Sequence, residues 1–497
     1  MESGAFSVLG SANDLHTRVG FIITADDCFF VSTFVVIGGD AAGMSAASKA
    51  KRDDPSLEVV VFEAGEWVSY GACGLPYYIK GEIQSLDDLV SVTPEEFREQ
   101  RDIDLRTGHK VVDIDPADRT VTARGDSEVI QEYDHLLVST GAQAVRPPID
   151  GLEREGVYTL GSMADGKELR EYVGRARSEE DLQQPDRGPA CEFLETCNGP
   201  VGIVGGGYIG VEMAEALAAN DFEVHLFQRG SRILKSFSEA TSEAVLGHLR
   251  EQNIVVNLGA EVETLAGDDA VEAIVTSDDR TPVEMVLVGT GVRPRTELAE
   301  EAGIELGETG AIAADTYRET SLPDVYAAGD CAEAEHVVTG EPAHVPLALT
   351  ANRHGRAIGR TVAGTPTEGG GIAGTAAVKA FEVEAARTGV LDQEARHAGF
   401  DPITETIDAK SRAGYYPEGG TIKVTLTADR ESGRMLGGSL VSEYGEGAVH
   451  RSHALVGAVT EGITVGELSN YDLAYAPPFN TTRDPVLTAA KVLDGSR

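Results

Sequence analysis

The sequence predicts an α/β chain made of two doubly wound units followed by an α+β region. Two strand, glycine-turn, helix segments open at Thr33 and Pro200, and each runs on into a second apolar strand, the order of a βαβ unit. After Gly371 the texture changes: strand-like TIKVTLTAD (421–429) and MLGGSLVSE (435–443) precede helix-like HRSHALVGAVTEG and an aromatic, Pro-rich tail. A chain of 497 residues is also too long for one ordinary core, so two or three domains are expected.

Charge narrows the partners. Against 41 Lys and Arg stand 82 Asp and Glu, a formal net charge of −41, which argues against nucleic acid and anionic membrane surfaces. The same excess predicts a halophilic protein, hydrated in concentrated salt where screening suppresses self-repulsion. No apolar run reaches the ~20 residues of a membrane span. The first residues lack a basic segment followed by a long apolar stretch, so no signal peptide is expected. Cysteines 28, 73, 191, 197 and 331 form no regular framework, which fits a reducing cytoplasm.

Taken in order, residues 1–32 read as a disordered appendage, because the first clean strand starts at Thr33 in TFVVIGGDAAGMSAASKAKR. The turn is Gly38-Gly39-Asp40-Ala41-Ala42-Gly43, with Asp40 where the second glycine of GxGxxG is expected. A carboxylate beside a pyrophosphate is unfavourable unless its side chain turns away. Glu63 restores the reading: it ends the next strand, EVVVFEAG (58–65), 20 residues past Gly43, where an acid binds ribose hydroxyls. Polar, acidic Arg177–Pro200 reads as a surface insertion.

The second unit has the full spacing in Gly205, Gly207 and Gly210. The first glycine makes the tight turn, the second admits the pyrophosphate and the third packs helix on strand, with helix amides facing the phosphates. At the acid position stands Gln228, followed by Arg229 and Arg232. Without the acid the NAD 2′-hydroxyl loses a partner, and a nearby Arg can meet a 2′-phosphate, so NADPH is favoured over NADH unless both arginines merely face solvent.

Cys73 lies in SYGACGLPYYI (69–79), closely after the Glu63 strand and hence beside the first nucleotide site. No cysteine lies within six residues of it, which excludes a CxxxxC pair. Flanking glycine and an aromatic turn mark it as a reactive thiol rather than a packed one. Cys191 and Cys197 have no nearby His or Cys partner, so no metal site is expected. Cys331 reads as packing, and Cys28 belongs to the appendage.

The segments GGDAAGMSAASKAKR, SYGACGLPYYI, STGAQAVRPP, GGGYIGVE, TSLPDVYAAGDCAE, ANRHGRAIGR and DLAYAPPFN occur in this order. With them the chain resembles the coenzyme A-disulfide reductase and NADH oxidase branch of the FAD-dependent pyridine nucleotide-disulfide oxidoreductases, from about Thr33 to Val492. The resemblance implies a Rossmann-like FAD-binding domain of 33–150 and 292–372, an NAD(P)-binding domain of 151–291, a dimerisation domain of 373–497, and a homodimer. It implies that Gly38, Gly43, Glu63, Thr140, Gly141, Arg146 and Asp330 hold FAD. Gly205, Gly207, Tyr208, Gly210, Glu212 and Gly291 would serve NAD(P)H, with Tyr208 gating the nicotinamide face of the flavin. Ser69 and Cys73 match the SxxxC active-site pattern, although Ala72 replaces an Asn often found there. Ser45, Lys49, Arg52, Arg101, Asn352 and Arg356, with Arg483 more weakly, fall where the reductases hold coenzyme A; the alternative is scattered surface bases.

The resemblance also implies a reaction: hydride transfer to FAD, then reduction of a small disulfide or persulfide held on Cys73, whose thiol should be depressed in pKa. Tyr475, with Tyr416 or Tyr415, is the proton donor to the leaving thiolate, working from the partner subunit, unless these are ordinary core aromatics. The rival reading is an NADH oxidase cycling Cys73 through a sulfenic acid, disfavoured because Asp40-Ala41-Ala42 replaces the His common in that turn. An electron-transfer flavoprotein for a protein partner would need no thiol.

Overall fold

A computed structural model describes residues 32–176 and 198–497. The predicted appendage up to Val31 and the insertion up to Cys197, with Cys28, Cys191 and Cys197, lie outside the described residues.

Unbroken β-branched runs build the first sheet. TFVVI (Thr33–Ile37) and EVVVF (Glu58–Phe62) do not alternate, and Phe34, Val35 and Val36 are fully buried. Burial on both faces is what a helix-covered parallel sheet requires. The five parallel strands lie in the order Val325–Ala327, His135–Val138, Thr33–Ile37, Glu58–Phe62, Asp104–Arg106. The second sheet repeats the plan as Val255–Leu258, Phe222–Gln228, Asn198–Val204, Met285–Val288, Val157–Tyr158. In each sheet a glycine turn leaves the carboxyl end of the middle strand, where such sheets bind nucleotides. The second unit starts at Asn198 rather than Pro200. The register shifts between these two residues, an irregularity that lets a strand accept a proline.

The chain leaves the first unit along Ala142–Ala144 and returns along the antiparallel Val292–Pro294. The returning segment adds Val325–Ala327 to the first sheet and lays helix Ala348–Val362 on helix Ala41–Asp53. A Cβ on Gly355 would strike the Ala42 carbonyl, and one on Gly359 the Ala46 carbonyl. Two glycines one turn apart therefore let these helices meet backbone to backbone.

The C-terminal region is a five-stranded antiparallel sheet in the order Ala376–Ala380, Val383–Gly389, Met435–Glu443, Thr421–Asp429, Pro402–Lys410. Helices Ala448–Thr460 and Pro485–Ser496 close its core through Leu455, Val486 and Leu493. Glu215, 3% exposed, ties the region to the rest of the chain. It accepts Lys80 at 2.7 Å, Lys379 at 2.8 Å and the Phe381 amide at 2.7 Å. Among the described residues no helix is long and apolar enough to cross a membrane.

Candidate active site

The first glycine turn is shaped for a phosphate-bearing ligand. Gly38 has φ +105°, and a Cβ there would strike the Ser139 carbonyl; one on Gly43 would strike the Gly38 carbonyl. Glu63 braces the turn, accepting the Gly39 amide and the Gly65 amide, each at 2.7 Å. A carboxylate has lone pairs to spare beyond these for ribose hydroxyls. The Asp40 carboxylate accepts the Tyr70 amide at 3.1 Å. Burial, reinforced by Glu63 and Asp330, still pushes its carboxyl up to about 6. Thr140 and Gly141 form a crossing with Arg295, whose carbonyl accepts the Thr140 hydroxyl at 2.7 Å. Burial raises the Asp330 carboxyl, and Arg146 is exposed. These residues fit FAD. Uncapped amides without acid in the helix's first turn suit a pyrophosphate, while Glu63 and Asp330 suit hydroxyl-rich ribose and ribityl groups.

The second turn fits a nicotinamide dinucleotide. Gly205 has φ +114°, a Cβ on Gly210 would strike the Gly205 carbonyl, and Gly207 faces open space within 4 Å. Gln228 accepts the Gly206 amide at 2.9 Å. Arg229 is exposed with its guanidinium 3.9 Å from Glu261, whereas Arg232 donates to the Lys235 carbonyl at 3.1 Å. Tyr208 opens the helix, its hydroxyl 3.2 Å from Ser236 Oγ. Glu212, one turn on, receives the Tyr77 hydroxyl at 3.4 Å, and burial pushes its carboxyl up to about 7. Gly291 is exposed at φ +113° where the chain turns back.

Cys73 sits exposed on the 3₁₀ turn Ala72–Gly74, which runs into helix Leu75–Lys80. The expected depression of its thiol is not produced by this chain. Although the residue is open to solvent, the protein packed around its sulfur partly desolvates it and raises its pKa, and Glu212, Asp330 and Asp40 push the same way. Ser69 holds φ +49°, a left-handed conformation costing a β-carbon residue ~1–2 kcal/mol, while its amide donates to the Gly39 carbonyl at 3.0 Å. The strain links the Cys73 loop to the first glycine turn.

A cavity of about 610 Å³ opens beside Ser69 between the two glycine-packed helices. Ser45, Arg52, Ser69, Arg101, Asn352 and Arg356 all line it, together with Ser48, Arg353, Phe97 and Leu349. Ser45 donates to Asn352 at 2.6 Å, and Arg101 donates to Ser48 at 3.2 Å while lying 4.8 Å over the Phe97 ring. Lys49 is off the wall, paired with Asp53 at 2.6 Å, and Arg483 is exposed elsewhere, outside the lining. Sequence reasoning missed Ser48, Phe97, Leu349 and Arg353. Helical spacing carried the signal: 349, 352, 353 and 356 share one face.

In the C-terminal region the hydroxyls of Tyr415 and Tyr475 are 2.9 Å apart. The hydroxyls that meet are those of Tyr415 and Tyr475, while the Tyr416 amide donates to the Ala413 carbonyl at 2.8 Å. The hydrogen bond between them raises the Tyr415 phenol and, together with Thr482, lowers that of Tyr475.

Comparison with known proteins agrees with this geometry. The model of the pyridine nucleotide-disulphide oxidoreductases matches residues 32–355, and that of their dimerisation domain matches 375–485. The chain is 37% identical to the NAD(P)H coenzyme A polysulfide/persulfide reductase of Pyrococcus horikoshii, over 92% of this chain and 98% of that one. It is 28% identical to the coenzyme A disulfide reductase of Staphylococcus haemolyticus, over 91% and 97%. Among solved structures, the NAD-dependent persulfide reductase from A. fulgidus superposes with a TM-score of 0.86 at 35% identity, covering 94% of this chain and 83% of that one. Two glycine turns built for dinucleotides, an exposed thiol beside the first and a matching dimerisation domain agree in one conclusion: the chain belongs to the pyridine nucleotide-disulphide oxidoreductase family, whose members use FAD and NAD(P)H.

Proposed function

We propose that this enzyme uses NAD(P)H to reduce coenzyme A disulfide, or a related low-molecular-weight disulfide or persulfide, through Cys73. The observation that carries the reading is the cavity beside Ser69, four residues from Cys73, with four arginines and three serines on its wall. In a chain of net charge −41, such a concentration of guanidinium groups suits a multiply phosphorylated ligand.

Bound FAD supplies two-electron transfer from the nicotinamide to sulfur. The chain supplies the rest. The Cys73 thiolate attacks one sulfur of the disulfide, forming Cys73–S–S–R and expelling RS⁻, which takes a proton from the Tyr475 hydroxyl. Two electrons then cleave the mixed disulfide, restoring the Cys73 thiolate and releasing the second product as a thiolate that takes a proton from solvent, while Tyr475 regains its own proton from solvent. Glu212 is the strongest of the like charges disfavouring the thiolate, so its protonation around neutrality eases formation of the thiolate. NADPH is preferred over NADH, because Gln228 brings no charge to the ribose and Arg229 is open to a 2′-phosphate. The enzyme works as a homodimer with Tyr475 reaching the partner's Cys73, in the reducing cytoplasm.

Anaerobic turnover of NADPH with coenzyme A disulfide, set against oxygen consumption in air, tests the reading. Disulfide turnover should dominate, and Cys73→Ser should abolish it while FAD stays bound and reducible. Parental disulfide turnover in Cys73→Ser would sink the mechanism.

A further inference from the structure

The tyrosine pair is assembled from two loops far apart in sequence. Tyr415 lies between strands Pro402–Lys410 and Thr421–Asp429, and Tyr475 lies ahead of helix Pro485–Ser496. Behind both stands Arg451 on helix Ala448–Thr460, its side chain 12% exposed. Its guanidinium donates to the Ser411 carbonyl at 2.7 Å in the first loop and to the Phe479 carbonyl at 2.8 Å in the second. Its Nε donates at 2.9 Å to Asp484, whose carboxylate is 4% exposed and also receives Asn480 at 2.7 Å. Asn480 donates in turn to the carbonyl of Ala474, the residue before Tyr475, at 3.2 Å.

A planar fork with five donors can hold two carbonyls and a carboxylate at once, which an ammonium on a flexible stem does not reproduce. Buried ion pairs add little net stability. This one is explained by what it holds together. We propose that Arg451, clamped by Asp484, is the positioning residue of the tyrosine pair, docking the Tyr415 loop on the Tyr475 loop so that the two hydroxyls meet.

The catalytic consequence rests on Tyr475 being the proton donor; the docking does not. Tyr415 and Thr482 are the groups bearing on the Tyr475 phenol, and among the described residues no ionised side chain acts on it. Undocking removes the Tyr415 bond, so Tyr475 should ionise at higher pH.

The test follows Tyr475 ionisation by ultraviolet difference absorbance in the FAD-loaded full-length protein, with the Tyr475→Phe signal subtracted. Coenzyme A disulfide turnover is measured in parallel. Arg451→Met and Arg451→Lys should both move the ionisation to higher pH, as Tyr415→Phe does. They should cut disulfide turnover about 10- to 100-fold, the scale of a small misplacement of a reacting group, and leave flavin reduction by NADPH unchanged. If Arg451→Met fails to fold, Asn480→Ala removes the link to Ala474 and carries the same expectation. Ionisation at the parental pH in Arg451→Lys and Asn480→Ala, with Tyr415→Phe shifted, overturns the proposal. Shifted ionisation with parental turnover supports the docking and overturns the proton-donor role of Tyr475 instead.

Discussion

Gln228 accepts the Gly206 amide at 2.9 Å, in the way that Glu63 accepts the Gly39 amide at 2.7 Å in the other turn. The two residues brace equivalent turns, but only one brings a charge. An amide oxygen is enough to hold the loop, so the charge itself is free to vary with the nucleotide that must be bound.

Donor preference follows from that difference. Arg229→Ala should lower kcat/KM for NADPH about tenfold, the worth of one charged hydrogen bond of ~1.5 kcal/mol, and leave NADH nearly unaffected. Gln228→Glu keeps the acceptor for Gly206 and repels a 2′-phosphate, so it should shift preference towards NADH. Steady-state kinetics with both donors decides; an unchanged ratio in both variants makes Arg229 a surface residue.

Asp40 predicts a pH-dependent stability change. Its folded pKa of about 6 lies above the ordinary 3.8, so the folded state favours its proton. That contribution is complete below 3.8 and is lost as pH rises through about 6, where folding holds a buried charge. Asp40→Asn keeps an acceptor for Tyr70 and should raise stability above pH 7 by up to about 3 kcal/mol, with no gain at pH 3.5. Calorimetry of parent and variant at both pH values checks the difference. A gain of equal size at both would point to packing instead.

Glu212 should control the reactivity of Cys73. After burial it is the largest influence raising the thiol, so Glu212→Gln should lower the Cys73 pKa. The pH dependence of iodoacetamide alkylation reads this directly, with Cys73→Ser as the blank. The alkylation curve should move to lower pH; a curve that stays in place leaves Glu212 without electrostatic influence on the thiol.

Salt should stabilise the protein. With a net charge of −41, reducing salt from 1 M to 0.1 M lengthens the screening distance from ~3 Å to ~10 Å, restoring self-repulsion. Tm and activity should both fall along that series. A flat Tm across it would remove the halophilic reading.

Heterodimers locate Tyr475. Mixing Cys73→Ser chains with Tyr475→Phe chains, after dissociation and reassembly, should recover about half the parental activity per heterodimer if Tyr475 serves its partner, because two-fold symmetry places both lesions in one site. No recovery would assign Tyr475 to its own chain. Full activity of the Tyr475→Phe homodimer would leave the phenol as packing.

The sequence by itself determined the two glycine turns, Glu63 and Gln228 at the ends of the strands that follow them, the isolated thiol at Cys73, and the strands Thr421–Asp429 and Met435–Glu443. Each depends on residues close along the chain, where backbone sterics and side-chain period leave few conformations. Tertiary structure decided which groups meet across long separations. Arg353 and Leu349 joined the cavity because Gly355 and Gly359 let two distant helices touch. Tyr415 met Tyr475, 60 residues away, across two loops that both bond to Arg451, and the Cys73 thiol rose because desolvation and the folded chain's Glu212, Asp330 and Asp40 all disfavour its thiolate. Burial and through-space charge depend on distances that only the folded chain sets.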